Sequence, residues 1–224
     1  MRGEVMLLNR DIMISGSYDE ASKTLAHPEP WPCRVLISDF FDPHDLKPRV
    51  GTIHWDNIAI FNCSQTETFM PALKFDSAIM GEKIISNSAV STGPGHGIHI
   101  MNSQRVTLTN NNIHDFVYYG LFAERAANLV LEGNILSGVR PAFLPLKENP
   151  YLKWDFPTGA FELGYDSVQA ITVKNNTASG AWHMGFRLPS KKCGDSNPKN
   201  KISDNVAHSI SGFGVIVSTR TSTC

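Results

Sequence analysis

Short apolar–polar alternations recur along the chain, and an asparagine closes each one. Val106, Leu108 and then Asn111 share a frame with Leu129, Leu131 and Asn134, and with Ile171, Val173 and Asn176. In each, the Asn follows three positions after the second apolar residue. Alternation with a period of two marks a strand with one buried face. Weaker copies run Ile84-Ile85-Ser86-Asn87 and Ile202-Ser203-Asp204-Asn205, and Ile58-Ala59-Ile60-Phe61-Asn62-Cys63 puts Cys63 in the Asn slot. A second strand opens at a fixed distance. Nine positions after Asn111, Asn176 and Asn205 come Gly120, Gly185 and Gly214, and ten after Asn87 comes Gly97. Gly97 to Asn111 and Gly120 to Asn134 are equal steps, so the period is 23 to 24. Two strands repeat with no segment of helical period between them, which excludes helical repeat arrays.

This pattern predicts an all-β fold, a right-handed parallel β-helix that spans 1–224 as a single domain. Each coil stacks ~4.8 Å above the last, and the strands of neighbouring coils pair. A recurrent Asn at a corner tolerates left-handed backbone, and its side chain bonds its neighbours up the stack. The Gly permits a bend at the next corner. Two regions break the period. The step from Asn134 to Asn176 is nearly double the common one, and the excess holds Pro141, Pro145, Pro150, Trp154 and Pro157. A loop insertion at 137–160 follows. The other region is Ser17 to Pro32 together with Asp42 to Pro48, with Arg34 to Ser38 as a strand between them. Corner loops are where such a scaffold places specificity.

The chain has 224 residues, 42% hydrophobic and 18% charged, enough for a packed core. Lys plus Arg is 20 against 21 for Asp plus Glu, a net charge of -1, which argues against nucleic acid as a partner. No run reaches the ~18 apolar residues of a membrane span. Glu4, Arg10 and Asp11 interrupt any signal-peptide pattern at the start. The chain is therefore either cytosolic or a piece of something larger, and the other features favour the piece. Cysteines stand at 33, 63, 193 and 224. Their nearly equal gaps suggest bridges Cys33–Cys63 and Cys193–Cys224, although four cysteines allow three connectivities and four buried thiols are the alternative. Asn62-Cys63-Ser64 and Asn175-Asn176-Thr177 are glycosylation triplets, which with the even cysteine count point to an extracellular setting.

Glu4 to Gly16 resembles the segment that joins a G8 domain to its parallel β-helix in fibrocystin, fibrocystin-L and their cell-surface hyaluronan-degrading relatives. Cys33-Arg34-Val35-Leu36-Ile37 resembles the strand that follows. Gly185 to Leu188, then Cys193, Asn197-Pro198, Asp204 to His208, Gly214 and Cys224 resemble a run in the fibrocystin-L β-helix. The resemblance implies that 1–16 is the last strand of a G8 domain or the first rung. It also implies a large membrane-anchored parent with a long ectodomain, at a ciliary or other cell surface or secreted. The β-helix part of that family has no established catalytic role, and in the hyaluronan-degrading relatives the residues tied to activity lie mainly in the G8 domain, so none transfers here.

The position two after each Gly should face outward: His99, Phe122, Arg187 and Ile216, with Glu162 in the same slot if Ala160 replaces the Gly. Stacked, His99, Phe122, Glu162 and Arg187 would form a stripe suited to a glycan, aromatics on sugar rings and Arg on carboxylates. The plainer reading is a solvated face with an incidental Glu162–Arg187 pair. A hydrolase would need two acids ~5 to 9 Å apart, from Glu124, Glu162, Asp115 and Asp166. A lyase would need a base such as Arg187 or His99. No acid pair forms a fixed motif, so the pattern leans against catalysis. His114-Asp115 reads as a histidine bonded to a neighbouring coil. His96 and His99, without a carboxylate partner, do not define a metal site, and no cofactor is implied. Trp154 and Trp182 are either sugar platforms or loop anchors. The sequence thus favours a non-catalytic extracellular module, a rigid spacer with a protein- or glycan-contact surface. The alternative is a hyaluronidase- or pectate-lyase-like enzyme using His99, Glu162 and Arg187.

Overall fold

The computed structural model describes residues 12–16, 33–65, 70–141, 158–166, 168–189 and 200–218. Glu4 to Asp11, residues 142–157 with Trp154, Cys193, Asn197-Pro198 and Cys224 lie outside them. The chain winds through three parallel sheets. Sheet one stacks Ile12–Ser15, Ile58–Phe61, Ala89–Gly93, Asn112–Phe116, Ile135–Ser137, Thr177–Ser179 and Val206–His208. Sheet two stacks Val35–Ile37, Leu73–Asp76, Ile98–Met101, Tyr119–Glu124, Gly159–Asp166, Met184–Pro189 and Phe213–Ser218. Sheet three stacks Ile53–Asp56, Lys83–Ser86, Val106–Thr109, Val130–Glu132, Thr172–Lys174 and Lys201–Ser203. Each coil passes from sheet three to one to two. Ala89 pairs with Asn112 and Asn112 with Ile135, equal steps along the chain, whereas Ile135 pairs with Thr177 across nearly twice that step. The insertion therefore leaves the coil between sheets one and two and returns to the same corner.

Each coil holds three strands, not the two read from the sequence. The strands that the repeat missed lie in sheet one, of which it read Ile58–Phe61 alone, and that in the wrong column. Ile135–Ser137 and Thr177–Ser179 each turn a single buried residue inward, Leu136 and Ala178, too little for a period to show.

The corner from sheet three to sheet one is always short. Its first residue is Asn57, Asn87, Asn110, Gly133, Asn175 or Asp204, all with φ between 49° and 68°. Asn, Asp and Gly hold this left-handed backbone most readily. The next residue is Ile58, Ser88, Asn111, Asn134, Asn176 or Asn205, and from Ser88 onward these form a ladder. Asn134 Nδ2 donates to Asn176 Oδ1 at 3.0 Å and to Leu108 O at 2.8 Å, and its backbone N–H donates to Asn176 Oδ1 at 2.9 Å. Asn134 Oδ1 accepts from Asn111 N and Nδ2, both at 3.0 Å. Asn111 and Asn176 repeat the scheme one coil away on either side. The ladder corrects two slot assignments. Ser88, not Asn87, stands in it, and its hydroxyl accepts the Ile58 amide at 3.0 Å. Ile58, not Cys63, fills the slot of that coil, since Ile53 and Trp55 are its preceding apolar pair. Cys63 lies at the next corner, disulfide-bonded to Cys33, one of the two bridges expected from spacing.

The corner from sheet one to sheet two carries the column Gly97, Gly120, Ala160, Gly185 and Gly214. None of these glycines has positive φ. Space demands Gly97 and Gly185 instead: a Cβ at Gly97 would meet Gly120 O, and one at Gly185 would meet Gly214 O. Beyond this column, Ile98, Leu121, Phe161 and Phe186 stack inward, with the Phe161 and Phe186 rings 4.6 Å apart. Lys83 also occupies an inward position, in register with Ile53 and Val106, and is fully buried. Its ammonium donates to Gly81 O at 2.7 Å, Ala78 O at 2.8 Å and Gln104 O at 3.2 Å, so it ties the 77–82 corner to the next coil. Burial lowers its pKa.

Replacing Asn134 by Ala would strip Asn111 N–H and Leu108 C=O of their side-chain partner. Each buried orphan costs about 1–3 kcal/mol. Urea unfolding of Asn134→Ala should show a loss of about 2–5 kcal/mol, against a smaller loss for Asn205→Ala, whose side chain is only half-buried. Equal losses would contradict the ladder's role.

Candidate functional site

Strand register sets Leu36, Lys74, His99, Phe122, Glu162, Arg187 and Ile216 in one column on sheet two. Their chain neighbours, such as Ile98 and Ile100, fill the core. The column therefore points out of the coil, and His99, Phe122, Glu162 and Arg187 are adjacent. It is not a solvated face. His99 is 4% exposed, Phe122 8% and Glu162 0%. Phe122 joins Tyr119 and Met184 in a second apolar cluster outside the coil, with Tyr118 and Ile216 against it. Rings stack in series: Tyr118 on His96 at 5.3 Å, His96 on Tyr119 at 5.4 Å, Tyr119 on Phe122 at 5.1 Å and Phe122 on His99 at 4.8 Å. The plain solvated reading fails because His99, Phe122 and Glu162 are withdrawn from water.

The charged groups of the column sit in pairs. Glu162 Oε2 lies 3.3 Å from Arg187 Nη1, and its Oε1 accepts Gly164 N–H at 3.1 Å. Gly164 lies in a register shift between the strands Tyr119–Glu124 and Gly159–Asp166, so this carboxyl also holds the bulge. Glu124 Oε1 is 3.1 Å from His99 Nε2, and Lys74 Nζ is 2.8 Å from Asp76 Oδ2. Glu124 and Glu162 thus each face a cationic or imidazole partner on another coil. Burial pushes the Glu162 carboxyl up to about 7, against the pull of Arg187. Burial, aided by His99, pushes His96 down to about 3. Both shifts follow from the cost of holding charge away from water.

The remaining candidates lie elsewhere. His114 Nδ1 is 2.9 Å from Ser137 Oγ of the next coil on sheet one, and Asp115 pairs with Arg140 at 2.6 Å. His114 and Asp115 therefore do not form a catalytic pair with the sheet-two column. Among the described residues no three His, Cys, Asp or Glu side chains are placed to hold a metal ion. Trp182 is 60% exposed at the corner that leads into sheet two, so it is not a buried anchor.

Residues 53–224 match the family described as the right-handed beta helix region. The chain belongs to the right-handed β-helix family. No curated protein matches it. In this β-helix, the groups that the repeat did not single out are Tyr119 and Met184, which with His96 stand one position before the corner glycine. They lie three positions before the outward column, where period-two alternation assigns the inward face, so the repeat gave no signal for them. Lys83 carried no signal, since its neighbours at that slot are Ile53 and Val106.

Glu162 is raised from 4.5 to about 7, so the folded state keeps its proton to higher pH than the unfolded chain. Its contribution to stability is complete below 4.5 and is lost as pH rises through about 7. His96 acts in the opposite sense: its contribution is present above 6.5 and is lost as pH falls toward about 3. Glu162→Gln removes the first effect and leaves the second. The difference in unfolding free energy between the parent and this variant should shift by about 3 kcal/mol across the Glu162 window. A pH-independent difference would refute the burial account.

Proposed function

We propose that this β-helix is a non-catalytic extracellular module of a large fibrocystin-like receptor. It serves as a rigid spacer, and the sheet-two flank contacts protein or glycan. The observation that carries this reading is the placement of Trp182 and Arg187. An exposed indole stands on a rigid corner beside a sheet whose outward column holds His99, Phe122, Glu162 and Arg187 side by side. Indole rings stack on sugar faces, and a guanidinium pairs with carboxylates in two-pronged geometry. The outward columns of the other sheets interleave small polar residues with larger ones: Ser91, Ser137 and Ser179 with Phe61, His114 and His208 on sheet one, and Ser86 and Thr109 with Asp56, Glu132 and Lys174 on sheet three. Rigidity is supported by the Asn ladder and by the Cys33–Cys63 bond.

A second reading, a polysaccharide-cleaving enzyme, draws on Glu162. A carboxyl titrating at about 7 beside an arginine has the acidity of a general acid at neutral pH. Its complete burial weighs against contact with a substrate.

Purified protein exposed to hyaluronan, chondroitin and pectin separates the readings. The expected result is binding without chain cleavage, weakened about tenfold by Trp182→Ala and by Arg187→Ala, the effect of losing one ring or ion contact. Cleavage that disappears in Glu162→Gln would put the enzyme in its place. Neither binding nor cleavage would leave a spacer alone.

A further inference from the structure

The two glycosylation triplets sit in different surroundings, and only one suits a folded coil. Asn175 is exposed at the short corner between sheets three and one. Among the described residues no side-chain hydrogen bond holds it. In the coil beneath, the matching corner residue is Gly133, which has no side chain to crowd Asn175, and its N–H donates to Lys174 O at 3.0 Å. In the coil above, Asp204 is exposed. The neighbouring Asn176 is buried in the ladder and anchors the triplet from inside, so the Asn175 backbone is fixed while its side chain stays clear of the stack. The other triplet is closed. Cys63 is bonded to Cys33, Ser64 is buried with its hydroxyl accepting Gly95 N–H at 3.0 Å, and Asn62 is itself half-buried.

We infer that Asn175 carries an N-linked glycan and Asn62 does not. This rests on the extracellular reading above. The donor is a lipid-linked oligosaccharide pyrophosphate. Asn175 Nδ2 forms the bond to the anomeric carbon, the bond from that carbon to the pyrophosphate oxygen breaks, and Nδ2 gives up one proton. Transfer acts on the entering chain: a glycan on Asn175 is carried into the finished coil, whereas early pairing of Cys63 with Cys33 closes the other triplet and a glycan on the half-buried Asn62 would obstruct that corner. The corner from sheet three to sheet one lies opposite sheet two. A glycan there shields the ladder corner and leaves sheet two and its two loop-bearing corners free. A glycan on Asn62 would stand at the corner that leads into sheet two.

The test is expression of the chain behind a signal sequence in a glycosylating animal cell. Intracellular and secreted material are both mapped by peptide mass after enzymatic removal of N-glycans, which converts a modified Asn to Asp. The expected result is conversion at 175 alone. It should vanish in Asn175→Gln and in Thr177→Ala, which spares the corner residue, and persist in Asn62→Gln. An unmodified Asn175, or conversion at 62, overturns the inference. A chain glycosylated at 175 that binds no polysaccharide or protein would instead overturn the contact-face reading and leave this one standing.

Discussion

A buried primary amide with every donor and acceptor engaged fixes how one coil sits on the next. Asn111, Asn134 and Asn176 each bond the ladder residue of the following coil and a strand carbonyl of the preceding one. A slip of one residue in register would leave several polar atoms unpaired in the interior, where each costs more than the bond it replaces. The apolar interior is tolerant of such slips, because Ile, Leu and Phe stack on one another without strict direction. The amides are directional, so they define the register and the apolar side chains supply most of the attraction.

That constraint divides the coil into a part that cannot vary and a part that can. Between sheets three and one the chain has one left-handed residue and then the ladder, with no space for an insertion that keeps the amides in line. Among the described coils, the large departures from the common period fall at the other two corners. The 137–160 insertion leaves from the corner between sheets one and two, and the hairpin of Phe40–Phe41 and Pro48–Arg49 leaves from the corner between sheets two and three. Both corners border sheet two. Diversity therefore accumulates around a single face for a mechanical reason, before any ligand is considered.

The ladder and the sheet-two column were legible because each repeats a residue type at a fixed offset, and a parallel stack turns equal offsets into physical adjacency. Phe122 beside Glu162 is the clearest instance, since the long stretch of chain between them vanishes once the insertion is looped out. Most of sheet one was illegible because strands such as Ile135–Ser137 and Thr177–Ser179 turn one residue inward, which makes no period. Ser88 carried no signature, because the repeat shows itself as asparagine whereas the slot asks for any side-chain oxygen that can accept an amide. Burial of the outward column was beyond the sequence as well. Alternation reports which way a side chain leaves the coil and says nothing of what lies over it.

That distinction matters most for Glu162. A carboxyl on the outer surface of a solenoid is expected to be hydrated and ionised, and an arginine 3.3 Å away should lower its pKa further. Here desolvation outweighs the arginine, and the group titrates at about 7. The arginine can partner only the ionised form at full strength, while Gly164 N–H holds the same carboxyl at the bulge. Protonation would loosen both contacts together. The bulge beside Glu162 and the partly exposed Arg187 are thereby coupled through one proton, on the sheet that the two loop-bearing corners border. Arg187 thus faces a carboxyl that burial holds well above its ordinary range, so the charge of this pair depends on its surroundings.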